Sequence, residues 1–142
     1  MAQGMIGQSI KRREDRKYIT GSATYVDDIT FPGMLYAAFV RSPHAHAKIK
    51  KIDVAGALEH SKAINALTGA EALRLAGPMP VYSYREATSI KKPDYRCLAN
   101  DRVRFVGEPV VVIAAMNRYS ADDVAELVNV DYEPLEVLMD PD

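Results

Sequence analysis

The chain has 142 residues, 48% apolar and 26% charged, with a formal net charge of −1. This is the size and balance of one globular domain, long enough to bury roughly 70% of the surface its unfolded chain exposes. Interleaved charges of both signs give no electrostatic footprint for nucleic acid or an anionic membrane. The single cysteine, Cys97, allows neither an internal disulfide nor a thiolate cluster, so a reducing cytoplasm is the expected compartment.

Residues 1–33 are polar and weakly periodic and read as an extended arm tied down by Ile19, Tyr25, Val26 and Ile29. Lys11-Arg12-Arg13 is followed by Glu14, Asp15 and Arg16, where an export signal would need an apolar run. A solvated arm is the better reading. Met34 to Arg41 is rich in strand formers and stops at Ser42-Pro43, since proline cannot donate to a ladder. Ala47 to Asp53 forms a second predicted strand, with Ile49 and Ile52 framing a lysine pair. Asp53 is placed to cap a short helix running through Ser61, with Ala57 and Leu58 turned inward. Lys62 to Leu67 reads as a strand. Thr68-Gly69-Ala70-Glu71 has capping-box spacing, which predicts a helix from Ala70 to Ala76, stopped by Gly77-Pro78.

Met79 to Asn100 contains Pro80 and Pro93 and lacks periodicity. It is expected to be the most mobile stretch, with Tyr82, Tyr84 and Tyr95 partly exposed. Arg102 to Val106 and Pro109 to Ala115 read as strands around Gly107-Glu108. The second is apolar without alternation, as for a strand covered on both faces. Ser120 is the expected cap of a helix whose Ala121, Val124, Ala125 and Val128 share one face. Asn129 to Tyr132 is a last strand, closed by Glu133-Pro134.

Candidate chemistry is sparse. His44 and His46, two apart on an extended segment, could point two rings the same way, but no third ligand lies nearby in sequence. They read instead as histidines bonded to backbone or to a neighbouring domain. Asp27 and Asp28 are adjacent, face opposite ways in an extended chain, and suit turn chemistry. Asp131, Glu133 and Glu136 read as a solvated strand end. Glu108 is the one carboxylate between Asp101 and Asp122, set in a turn where burial could tune it for catalysis. Cys97 has no histidine close in sequence. Gly-x-Ser-x-Gly, Walker and Gly-x-Gly-x-x-Gly patterns are absent. No residue is assigned a catalytic, cofactor-binding or metal-binding role.

Three segments in fixed order carry more information. They are Gly21-Ser22-Ala23-Thr24-Tyr25-Val26-Asp27-Asp28-Ile29, the run from Met34 through Phe39-Val40-Arg41-Ser42-Pro43-His44-Ala45-His46-Ala47 to Ile49, and Val103-Arg104-Phe105-Val106-Gly107-Glu108-Pro109 through Ala115, ending in Val130-Asp131-Tyr132-Glu133-Pro134-Leu135. Together they resemble the N-terminal α/β-hammerhead domain of molybdenum hydroxylase large subunits. That family includes xanthine dehydrogenases, aldehyde oxidoreductases and aerobic carbon monoxide dehydrogenases. The resemblance covers about Gly7 to Asp142.

It implies an α+β fold with a mixed sheet and about three short helices, made of an arm (1–33) and a hammerhead domain (34–142). It also implies a parent oxidoreductase that hydroxylates a carbon centre or oxidises carbon monoxide, taking oxygen from water. Molybdopterin, as its cytosine dinucleotide, would sit in domains that follow this one. FAD and 2Fe-2S clusters would sit on partner subunits or domains. The family's active-site carboxylate lies far beyond the matched segment, which implies a structural role for Glu108. The form of residues 39–47 looks like the carbon monoxide dehydrogenase and aldehyde oxidoreductase branch. On this reading the chain is a cloned fragment or split-gene product, inactive alone, that scaffolds the cofactor domains. The alternative is a stand-alone, non-catalytic binding or assembly module with the same fold.

Overall fold

The computed structural model describes residues 6–80 and 95–139. The chain divides into two compact units, Met1–Met34 and Leu35–Asp142.

The first unit is not uniformly extended. It holds a one-turn helix, α1 (Asp15–Ile19), and a 3-10 turn at Val26–Asp28. Polar contacts fix both. The Arg12 N–H donates to the Asp15 carboxylate at 3.2 Å, and the Thr20 hydroxyl donates to the Arg16 carbonyl at 2.6 Å. Asp28 accepts the Tyr25 N–H at 2.9 Å and so closes the 3-10 turn, the role expected of an aspartate there. The four expected anchors Ile19, Tyr25, Val26 and Ile29 are exposed instead. Hydrogen bonds between near neighbours, not buried apolar surface, give this unit its local shape.

In the second unit two three-stranded sheets face a shared core. One has the order β1 (Tyr36–Arg41), β5 (Pro109–Ala115), β3 (Ala63–Thr68); the other runs β4 (Arg102–Val103), β2 (Ala47–Asp53), β6 (Asn129–Pro134). Every pairing among the described residues is antiparallel, so the sheets are not mixed in direction. Register slips between Val40 and Arg41, which leaves Val110 as the extra residue of β5, and Val110 and Val111 are both fully buried in one core. Val112 and Ala114, which alternate with buried Ile113 and Ala115, are only half-buried, so the expected two-sided cover is partial. Val103, Ala47 and Val128 complete the cluster with Ala57 and Val124.

Bulges set the strand faces. Register slips between Ile49 and Lys51 in β2, so Lys50 is the extra residue. One added residue inverts the side-chain parity. That is why Ile49 and Ile52, three apart, both pack on the core while Lys50 turns out to Glu133 at 2.7 Å. The same device at Ile64 lets Ala63 and Ala66 face inward together.

The helices differ in detail from expectation. Between β2 and β3, α2 (Ala55–Leu58) is one turn long and ends before Ser61. Asp53 accepts the Ala55 N–H at 3.1 Å from one place before the cap residue, Val54. Ala57 is buried but Leu58 is exposed, because a four-residue helix presents only one position to the core. The Thr68/Glu71 box forms as predicted and starts α3 (Gly69–Ala76), with the Thr68 N–H donating to Glu71 at 3.0 Å. Asn117, not Ser120, caps α4 (Arg118–Glu126): its side-chain oxygen accepts the Ser120 N–H at 2.9 Å. Ser120 lies within the first turn and is buried with Ala121 and Val124. α4 packs on β1 and β5.

Of the irregular stretch, Val81 through Asp94, including Tyr82 and Tyr84, lies outside the described residues. Tyr95 is exposed as expected, whereas Leu98 and Ala99 are core residues. The Ala99 N–H donates to the Pro109 carbonyl at 2.8 Å, and Asp101 accepts the Ile49 N–H at 3.0 Å, so this end of the loop is stitched to both sheets.

Candidate functional site

Of the chemistry-bearing residues singled out in the sequence, His44, His46 and Glu108 gather where the β1–β2 loop meets the turn before β5, and Cys97 is exposed. The predicted strand Arg102–Val106 ends at Val103 because the chain turns there. Gly107 takes φ +87°, which an L side chain resists, and its N–H donates to the Ser42 carbonyl at 2.8 Å. Ser42 in turn donates its N–H to the Glu108 carbonyl at 2.9 Å, and Arg41 Nη1 reaches the Gly107 carbonyl at 3.0 Å. Phe105 and Val106, expected within the strand, are exposed at the turn.

Glu108 folds back over this turn. Its carboxylate accepts the Arg104 N–H and lies 3.9 Å from the Arg104 guanidinium. The side chain therefore satisfies a turn donor, which is structural work.

The two histidines do not point together at a common centre. The His44 ring packs edge-on to Tyr132 with centroids 5.0 Å apart, while His46 Nδ1 lies 2.8 Å from the Glu136 carbonyl. As a carbonyl only accepts, that contact places the proton on Nδ1. Buried Ser42 donates its hydroxyl to the His44 carbonyl at 2.9 Å and accepts the His44 N–H at 3.0 Å. Burial pushes the Tyr132 phenol pKa up, and a hydrogen bond with Ser42 works the other way. Among the described residues no group of three His, Cys, Asp or Glu side chains could hold a metal ion.

Asp101 is a hub that sequence reading passed over. Arg96, Arg102 and Arg104 lie 3.3, 3.4 and 3.6 Å from its carboxylate. Burial alone would raise its pKa. Backbone N–H groups and the charges of Arg104 and Arg96 outweigh that and hold it below the usual carboxylate range. A depressed native pKa means stabilisation that is fully present above about pH 4 and lost as pH falls through the lower native value. Asp101→Asn should therefore lower the urea midpoint at neutral pH, with the gap to wild type narrowing as the carboxylate is protonated at acid pH. A gap that stays constant through protonation of Asp101 would refute this.

Beside the clasp, Ala45, His46, Arg104, Phe105, Val106, Val137 and Leu138 line an open groove of about 410 Å³.

The family described as "Aldehyde oxidase and xanthine dehydrogenase, a/b hammerhead domain" matches residues 20–136. The chain belongs to this family. The chain is 43% identical over 139 residues to the carbon monoxide dehydrogenase large chain of Afipia carboxidovorans, covering 98% of this chain and 16% of that one. It is 41% identical over 143 residues to the 6-hydroxypseudooxynicotine dehydrogenase complex subunit gamma of Paenarthrobacter nicotinovorans, covering 99% and 18%. Among solved structures, quinoline 2-oxidoreductase from Pseudomonas putida 86 superposes with a TM-score of 0.86 at 37% identity, over 94% of this chain and 17% of that one. The chain thus spans less than a fifth of the length of each of these relatives. The hammerhead fold expected from the sequence is the fold observed.

Proposed function

We propose that this chain is the N-terminal structural domain of the large, molybdopterin-carrying subunit of a molybdenum hydroxylase-type oxidoreductase. Residues 1–33 act as an arm and 34–142 as the hammerhead that scaffolds the cofactor domains. The observation that carries the reading is family membership across 20–136, combined with a polar cluster whose members bind one another. Glu108, His44 and His46 each spend their best contact on the fold, which leaves the chemistry to other domains of the parent. The carbon monoxide dehydrogenase or aldehyde oxidoreductase branch is favoured by the Phe39–Ala47 segment and by the 43% identity with a carbon monoxide dehydrogenase large chain. FAD and iron–sulfur partner subunits and a cytoplasmic location belong to the same proposal. No helix among the described residues is long and apolar enough to cross a membrane.

The test is made in the parent enzyme. Molybdenum should be present in stoichiometric amount, and Glu108→Gln should leave turnover within roughly tenfold, because loss of an essential general base costs about 10²–10⁴-fold. A parent without molybdenum refutes the enzyme assignment. A loss of the larger size in a variant that still loads metal would make Glu108 catalytic.

A further inference from the structure

The arm contains a local contradiction. Residues 11–17 read Lys-Arg-Arg-Glu-Asp-Arg-Lys, the densest positive run in a chain whose net charge is −1. Backbone bonds from Asp15 to Arg12 and from Lys17 to Glu14, at 3.3 and 2.9 Å, continue the turn of α1 back to Arg12. Five cations, Lys11, Arg12, Arg13, Arg16 and Lys17, thus fall within seven residues that hold only two carboxylates, Glu14 and Asp15. Among the described residues none of these cations lies within ion-pair distance of a carboxylate. Ile10, Tyr18, Ile19, Tyr25 and Val26 are exposed beside them, and no residue from 6 to 33 is buried. A helix of five residues is far below the length of about 12 at which an isolated helix becomes even marginal.

Local hydrogen bonds shape this segment, but its excess of cations, short helix and exposure add little to them, and such shortfalls concentrate where a function supplies the missing term. We propose that Lys11–Val26 is a docking arm for an acidic, partly apolar protein surface elsewhere in the parent enzyme; this rests on the large-subunit reading above. Carboxylates on that surface would pair with these exposed cations. Tyr18 and Tyr25, with ring centroids 6.1 Å apart, supply the aromatic anchors that with arginine dominate protein interfaces. Glu14 and Asp15 interrupt the cations at the centre, which suits a patterned protein partner better than a uniform phosphate backbone.

Hydrogen exchange decides it, comparing the 142-residue chain with the intact parent. Residues 6–33 should be protected at least about 100-fold more in the parent, and Arg12→Glu/Arg16→Glu should remove about tenfold or more of that, with β5 unchanged as the folding control. High salt should weaken the protection in the wild type. Equal exchange in both proteins overturns the proposal, as does full protection in the charge-reversed parent. Binding of the 142-residue chain to a DNA duplex or to phosphatidylserine vesicles, lost in the same variant, also overturns it by naming a different partner. Molybdenum content separates the two readings: a molybdenum-loaded parent with an unprotected arm fails only the docking proposal, and a protected arm without molybdenum fails only the enzyme assignment.

Discussion

Replacing Gly69 by alanine is expected to destabilise the domain by at least about 2 kcal/mol, although it improves a helix former at the first position of α3. A Cβ at this position would stand 2.0 Å from the Ala99 carbonyl oxygen and 2.6 Å from its carbon. Both are backbone atoms of a segment stitched to Pro109, so neither can swing aside. The helix-propensity gain is at most about 1 kcal/mol, smaller than the clash. Gly56 is the internal control. Its nearest neighbour to a built Cβ is the Leu127 carbonyl at 3.8 Å, ordinary contact, so Gly56→Ala should stabilise by about 0.5–1 kcal/mol. The same chemical change thus has opposite signs at two glycines. Urea unfolding reads it directly, as midpoint shifts at constant slope. A Gly69→Ala midpoint equal to wild type would mean that α3 and the Ala99 segment separate easily.

Ile113→Ala should cost about 2–5 kcal/mol, toward the upper end of that range. Ile113 is fully buried in the central strand, and its register partners are Ala38 on β1 and Ala66 on β3. Alanines have no side chain that could move into the space, so the cavity would persist, and persistence is what makes such truncations expensive. Phe39→Ala removes more atoms from a half-exposed site on the edge strand β1 and should cost less. If Phe39→Ala proved the more damaging of the two, the centre of the core would have been misplaced.

The elements most readable in the sequence were those fixed by local chemistry. The Thr68/Glu71 box needs only a hydroxyl and a carboxylate three residues apart, and both are present. The unbroken apolar run of β5 marks a strand, although it says nothing of direction, and the second face is only half-covered at Val112 and Ala114. Bulges were invisible because parity inversion at Lys50 depends on the partner strand; Ile49 and Ile52 looked merely like brackets around lysines. Ser120 and Asn117 both suit a cap, and which one serves depends on where α4 meets β1. Gly69 drew no notice inside its helix-start motif, yet it marks a close approach from thirty residues away. At the candidate site, Glu108 stood out as a lone carboxylate in a turn. Asp101 did not, although its three arginine neighbours, Arg96, Arg102 and Arg104, all lie within five residues of it in sequence.

The central position of β5 also bears on the order of events during synthesis. Both of its partners, β1 and β3, leave the ribosome before it does, and neither pairs with the other. Roughly 70 residues separate the end of β1 from the end of β5, so at about 5–20 residues per second β1 waits some 4–15 s for its ladder. During that interval β1 and β3 present unpaired backbone, while β2 lacks β4 and β6, which also come later. No stable half of the hammerhead exists on the nascent chain before residue 115 emerges. Pausing translation ahead of Pro109 should therefore yield chains captured by holdase chaperones, and pausing after Pro134 should yield protease-resistant ones.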